Sequence, residues 1–132
     1  MQPLVAAGDG RGFVVDGEEA LAQTRAGRQV LTPGIPLEDG DAVALLGDNR
    51  RLLVIERAAI PVMTRGRGVI LQRYKSGGLA DAKAFLFADG LSWRQGEGRT
   101  RTETDLAPWR GARGGAGRTV PTGFPRSNKF GA

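Results

Sequence analysis

The stretch TRGRGVILQRYKSGG, Thr64 to Gly78, places Arg65, Arg67, Arg73 and Lys75 among four glycines and one short apolar run, Val69-Ile70-Leu71. Arginine presents a planar fork of donors that fits a phosphate, and glycine lets backbone N–H groups approach one. The chemistry this mixture suits is the binding of polyanions. Bond-breaking chemistry has less to draw on. The chain has no cysteine and no histidine. That excludes disulfide frameworks, the common zinc sites and any Ser-His or Cys-His pair. With no nucleophile–base pair or metal cluster in view, an enzyme acting alone is not expected, and no catalytic residue, cofactor or metal site is assigned.

Other motifs are weak. Gly8-x-Gly10-x-Gly12 precedes a strand-like run, whereas a dinucleotide fingerprint follows a strand and opens a helix. Asp39-Gly40-Asp41 lacks the spaced ligands and closing Glu of a calcium loop. Trp93 and Trp109 could stack on bases, but in a chain with few aromatics they read first as packing residues. RGARGGAGR, Arg110 to Arg118, could be a disordered RNA-binding tract, yet it is short and in register with a repeat described below.

Charge is unevenly divided. Residues 1–48 hold three arginines against eight acids, and residues 49–132 hold 16 cations against six acids. A basic half is an electrostatic footprint for nucleic acid, and equally a solvated surface in an arginine-rich proteome. Length and 40% hydrophobic content fit one folded domain spanning 1–132. No apolar run approaches the roughly 18 residues needed to cross a bilayer. The N-terminus shows no signal-peptide pattern, so a cytoplasmic protein is expected.

The elements that must position these cations are short strands. The 21 glycines, with prolines and charged turns, interrupt every helical pattern. Apolar runs recur instead at 13–15, 20–22, 30–31, 42–46, 52–55, 69–71 and 84–88, separated by turn signals such as Asp16-Gly17, Gly47-Asp48-Asn49, Gly77-Gly78 and Asp89-Gly90. This pattern predicts an all-β sandwich, barrel or propeller-like fold.

The runs also repeat. Gly8-Asp9, Phe13-Val14-Val15, Ala20-Leu21 and Gly27-Arg28-x-Val30 return 39 residues later as Gly47-Asp48, Leu52-Leu53-Val54, Ala59-Ile60 and Gly66-Arg67-x-Val69. A looser third copy starts at Asp89-Gly90-Leu91-Ser92-Trp93 and ends at Gly117-Arg118-Thr119-Val120, with an insertion around 96–108. Units are placed at 8–46, 47–88 and 89–131. A period near 40 fits blades of a propeller-like array. Cations gather at the Gly-Arg turns: Arg25 and Arg28, then Arg65 and Arg67, then Arg113 and Arg118. If equivalent turns share a rim, they form a curved row able to follow the phosphates of a bent duplex without reading bases.

The segments QTRAGRQVL, DNRRLLVI, MTRGRGVILQRYKSGGLADAKAF, GLSW and AGRTVPTGFPRSNKFG resemble the C-terminal domain of the A subunit of bacterial DNA topoisomerase IV, the paralogue of that of the DNA gyrase A subunit. The resemblance runs from about Ala7 to the end. It implies a β-pinwheel, a propeller-like ring whose neighbouring blades exchange strands and whose basic rim binds DNA. About three blades, a partial ring, are expected here. Gyrase carries a glutamine-arginine-arginine-glycine-glycine box that supports tight wrapping. Gln72-Arg73-Tyr74-Lys75-Ser76-Gly77-Gly78 echoes it loosely, broken by Tyr74 and Ser76, and is where an extra DNA contact is expected. Arg50 and Arg51, in DNRRLLVI, complete the DNA-binding set. The resemblance further implies duplex DNA as ligand, the rest of the topoisomerase IV A subunit and the ATPase-bearing B subunit as partners, and a nucleoid location. Cleavage, ATP and Mg2+ would belong to other regions and to the B subunit. Tyr74 is read as a rim or packing residue, not a cleavage nucleophile. The alternatives are a stand-alone propeller-like module with an acidic protein partner, and an arginine-glycine RNA-binding protein.

Overall fold

The structure, a computed structural model, describes the backbone of strands at 4–7, 11–14 and 28–31, and residues 40–60, 69–74, 77–95 and 99–130 throughout. In chain order the strands are β1 (Leu4–Ala7), β2 (Arg11–Val14), β3 (Arg28–Leu31), β4 (Ala42–Gly47), β5 (Arg51–Glu56), β6 (Val69–Ile70), β7 (Leu79–Phe85), β8 (Leu91–Arg94), β9 (Thr100–Glu103) and β10 (Arg118–Thr119). Two single 3-10 turns, Arg57–Ala59 and Phe87–Asp89, are the helical elements among the described residues.

The β4–β5 hairpin is the centre. Its sequences, AVALLG and RLLVIE, are almost continuously apolar, the mark of strands buried on both faces. Val43, Leu45, Leu53 and Ile55 point into one cluster with Ile60, Leu71, Ala82 and Ala84. Ala42, Ala44, Leu46, Leu52 and Val54 point into the other, with Phe85, Leu91, Trp93, Leu106, Val120, Phe124 and Phe130. In that second cluster the Trp93 and Phe124 rings lie 5.3 Å apart, and Phe130 meets Phe124 edge-on at 5.6 Å. Trp93 is therefore a core residue.

The described strands form three antiparallel sheets, ordered β3-β1-β2-β6, β7-β4-β5-β10 and β8-β9. Two strands leave the sheet of their neighbours in sequence. β6 follows β5 in sequence but hydrogen-bonds to β2, and β10 follows β9 but hydrogen-bonds to β5. Each of these two-residue strands crosses to the preceding sheet and stitches neighbours together, which is the strand exchange expected of a pinwheel.

The sheets do not coincide with the sequence units. The 46/47 boundary falls inside the β4–β5 hairpin, whose residues pair from Ala42↔Glu56 to Leu46↔Leu52. The three Gly-Arg segments also divide. β6 and β10 take corresponding edges of the first and second sheets, whereas β3, which begins at Arg28, lies on the opposite edge of the first sheet beside β1. β3 thus corresponds in position to β7, so similar letters at a constant spacing serve two different edges. The run at 84–88 is likewise the end of a longer strand. Asp81 and Lys83 hide the start of β7, and the backbone leaves the strand at Leu86. The run at 20–22 lies outside the described residues.

Candidate nucleic-acid interface

β10 is positioned from three sides. Its backbone pairs Arg118 with Leu52 and Thr119 with Arg51. The next residue, Val120, donates its N–H to the Arg50 carbonyl at 3.0 Å. Before it, Gly117 adopts φ +80°, a left-handed conformation that glycine takes without strain. Arg51 and Arg118 are both exposed, on adjacent strands. Trp109 is half-buried beside them, its indole N–H donating to the Thr119 carbonyl at 2.8 Å. These residues and Pro108 line an open groove of about 430 Å³ that carries two guanidinium groups and no acid. Cations at the lip and an indole in the wall suit a phosphate–sugar backbone.

The RGARGGAGR tract leads into this groove, and it is ordered. Gly111 donates to the Val54 carbonyl at 2.9 Å, Gly114 to the Leu71 carbonyl at 2.8 Å, and Arg73 donates its N–H to the Gly115 carbonyl at 3.0 Å. Val54 also bridges Arg110 in parallel. The tract is therefore a hydrogen-bonded strap over β5 and residues 71–73. Arg113 and Arg73 are both exposed, and the Arg113 guanidinium donates to the Ile70 carbonyl at 3.1 Å. Arg110, in contrast, pairs with Glu56 at 3.1 Å and lies 5.0 Å from the Phe87 ring.

Of the residues singled out by sequence, Arg51, Arg73, Arg113 and Arg118 are on the described surface. Arg50 faces inward across the hairpin turn. Its guanidinium donates to the Pro125 carbonyl at 2.8 Å, Asn128 Oδ1 at 3.0 Å and the Phe124 carbonyl at 3.0 Å. Arg28 is described only as the start of β3, on the edge away from β6. Arg25, Arg65, Arg67 and Lys75 lie outside the described residues. Within the loose glutamine-arginine echo, Gln72 is completely buried and Tyr74 is half-buried. Tyr74 packs so tightly on Gly47 that a Cβ there would fall 2.8 Å from its Cε1.

Sequence reasoning missed a second group of exposed cations on the third sheet and the segment wrapped around it: Arg94, Arg99, Arg101 and Arg126. Arg101 donates to the Thr122 carbonyl at 3.1 Å and lies 5.8 Å from the Trp93 ring. Thr100 and Thr102 of Arg99-Thr100-Arg101-Thr102-Glu103 are β-branched, a weak strand signal at most. It went unread because no residue of that segment is apolar. On β7, burial pushes the Lys83 ammonium below the usual lysine range, an effect that nearby Asp81 opposes. Lys83 Nζ donates to the Ser92 carbonyl at 2.7 Å, tying the second sheet to the third.

Strand-exchanged antiparallel sheets define the class of this domain, the β-pinwheel. The same fold is seen in the C-terminal domain of Escherichia coli ParC, with a TM-score of 0.69 over 95% of this chain and 57% of that one, at 22% sequence identity. In sequence the chain is similar to the A subunit of DNA topoisomerase 4. It is 40% identical to that of Rickettsia bellii over 135 residues and 41% identical to that of Caulobacter vibrioides over 133, each match covering 96% of this chain. It spans 18% of the length of those relatives. No protein-family model matches. The resemblance read from the sequence segments is thus borne out.

Proposed function

We propose that this chain is an accessory, sequence-nonspecific DNA-binding domain of a type IIA topoisomerase. It engages bent or crossing duplex and so supports decatenation and supercoil relaxation during chromosome segregation. In this reading it works within the A subunit of topoisomerase IV, beside the ATPase-bearing B subunit, at the nucleoid. Strand passage, ATP and Mg2+ belong to other regions of that assembly. The observation that carries the reading is the groove at the second sheet, where an exchanged strand sets Arg118 beside Arg51 against the Trp109 indole. The similarity to the topoisomerase 4 A subunit over 96% of the chain supports the same ligand.

The test is a titration of labelled duplex of mixed sequence with the 132-residue chain at several salt concentrations. Binding that weakens with a log–log slope of about −0.9 per phosphate neutralised is expected. Charge reversal at Arg51 and Arg118 together should weaken it further while circular dichroism stays unchanged. Salt-insensitive binding, or none by a folded sample, would sink the reading.

A further inference from the structure

Gln72 combines complete burial with a carboxamide at a strand junction. It follows Leu71 of the first core cluster and is itself 0% exposed. Its Nε2 donates to the Arg51 carbonyl at 3.0 Å and to the Ala116 carbonyl at 3.2 Å. Those two carbonyls belong to segments 65 residues apart in sequence, one at the start of β5 and one two residues before β10. Its Oε1 is buried with no donor among the described residues. A buried amide oxygen left without a donor costs stability that an apolar side chain of similar size would not. The polar side chain is therefore explained by what its Nε2 holds.

β10 has two residues, and a ladder that short defines its own register weakly. A slip of one residue would exchange the faces presented by Arg118 and Thr119. Gln72 opposes that slip by fixing one carbonyl on each side of the exchange. Gly117 lies directly over it, since a Cβ at that position would fall 3.1 Å from Gln72 Nε2. We propose that Gln72 is a positioning residue for phosphate binding, which clamps the exchanged strand so that Arg118 and Arg51 project together. The inference rests on the DNA-binding reading above. It assigns Gln72 an indirect role, without contact to the nucleic acid.

The experiment compares the full chain with its Gln72→Met variant by hydrogen exchange at the Val120 amide, and by duplex affinity over a range of salt. The variant should fold, exchange the Val120 amide faster, and bind duplex roughly ten-fold more weakly. Its log–log salt slope should be shallower by about 1 to 2, the loss of one or two phosphate contacts. In an Arg51→Ala, Arg118→Ala background the same substitution should cost nothing more. Unchanged affinity in a folded variant overturns the inference. So does weaker binding at an unchanged slope, because that reports only a smaller folded fraction. Should Gln72→Met not fold, Gln72→Asn keeps an amide one methylene short of the two carbonyls and carries the same test. A wild-type chain that binds no duplex would remove the underlying reading itself, an outcome separate from any behaviour of the variants.

Discussion

A Cβ at position 117 would lie 2.5 Å from the carbonyl oxygen of Leu52. Gly117 is thus a point of close approach between the exchanged strand and β5, and the glycine of this Gly-Arg pair serves packing before it serves any ligand. Substituting Gly117→Ala should destabilise the chain by about 2–4 kcal/mol, from left-handed strain and from overpacking against backbone that cannot rotate away. Urea denaturation measures this, and a loss under about 0.5 kcal/mol would mean that β10 shifts freely.

Arg50 offers a sharper case, because its place in DNRRLLVI groups it with the DNA-binding cations. The residue itself sits at φ +63°, a conformation that costs a non-glycine side chain. Three acceptors at 124–128 hold the guanidinium and stabilise that turn. Arg50→Ala should cost about 1.5–3 kcal/mol in denaturation. Arg50→Lys should recover little of it, since an ammonium cannot reproduce the fork. The salt slope of duplex binding should stay unchanged in the folded variants.

These two residues show what the sequence made legible. The apolar runs 42–46 and 52–55 announced β4 and β5, because strands buried on both faces leave no polar interruption. Repetition of Gly-Arg-x-Val announced related elements, but similar letters do not state which sheet a strand joins. β3 and β6 therefore fell on different edges. β9 was missed for the opposite reason, as its Thr-Arg-Thr-Glu sequence carries no apolar residue. The inward turn of Arg50 and the burial of Gln72 depend on partners 74 to 78 and 21 to 44 residues away, and local patterns carry no record of such contacts.

Lys83 gives a pH dependence. Burial lowers its pKa in the folded chain below the ordinary 10.5, with Asp81 acting against the shift. Between the folded and unfolded values, the unfolded chain binds more protons, so stability rises with pH there. Below the folded value the penalty is present in full. The wild-type denaturation midpoint should therefore rise relative to that of Lys83→Met as pH approaches 10.5. A difference between the two that stays flat across this window would show that the ammonium is effectively solvated.

Arg118 and Arg110 separate a ligand-facing cation from a structural one within the same tract. Arg118 is exposed at the groove beside Arg51, and Arg110 is already paired with Glu56 and set against Phe87. Arg118→Ala should reduce the salt slope of duplex binding by about 0.9 and leave the denaturation midpoint within about 0.5 kcal/mol of wild type. Arg110→Ala should leave the slope unchanged. Its cost should appear in stability instead, at about 0.5–1 kcal/mol, because Glu56 is exposed and Phe87 only partly buried. Anisotropy titrations at four or more salt concentrations resolve the two slopes. If Arg110→Ala lowered the slope and Arg118→Ala did not, the duplex would have to cross the chain on the Glu56 side of the strap rather than along β10.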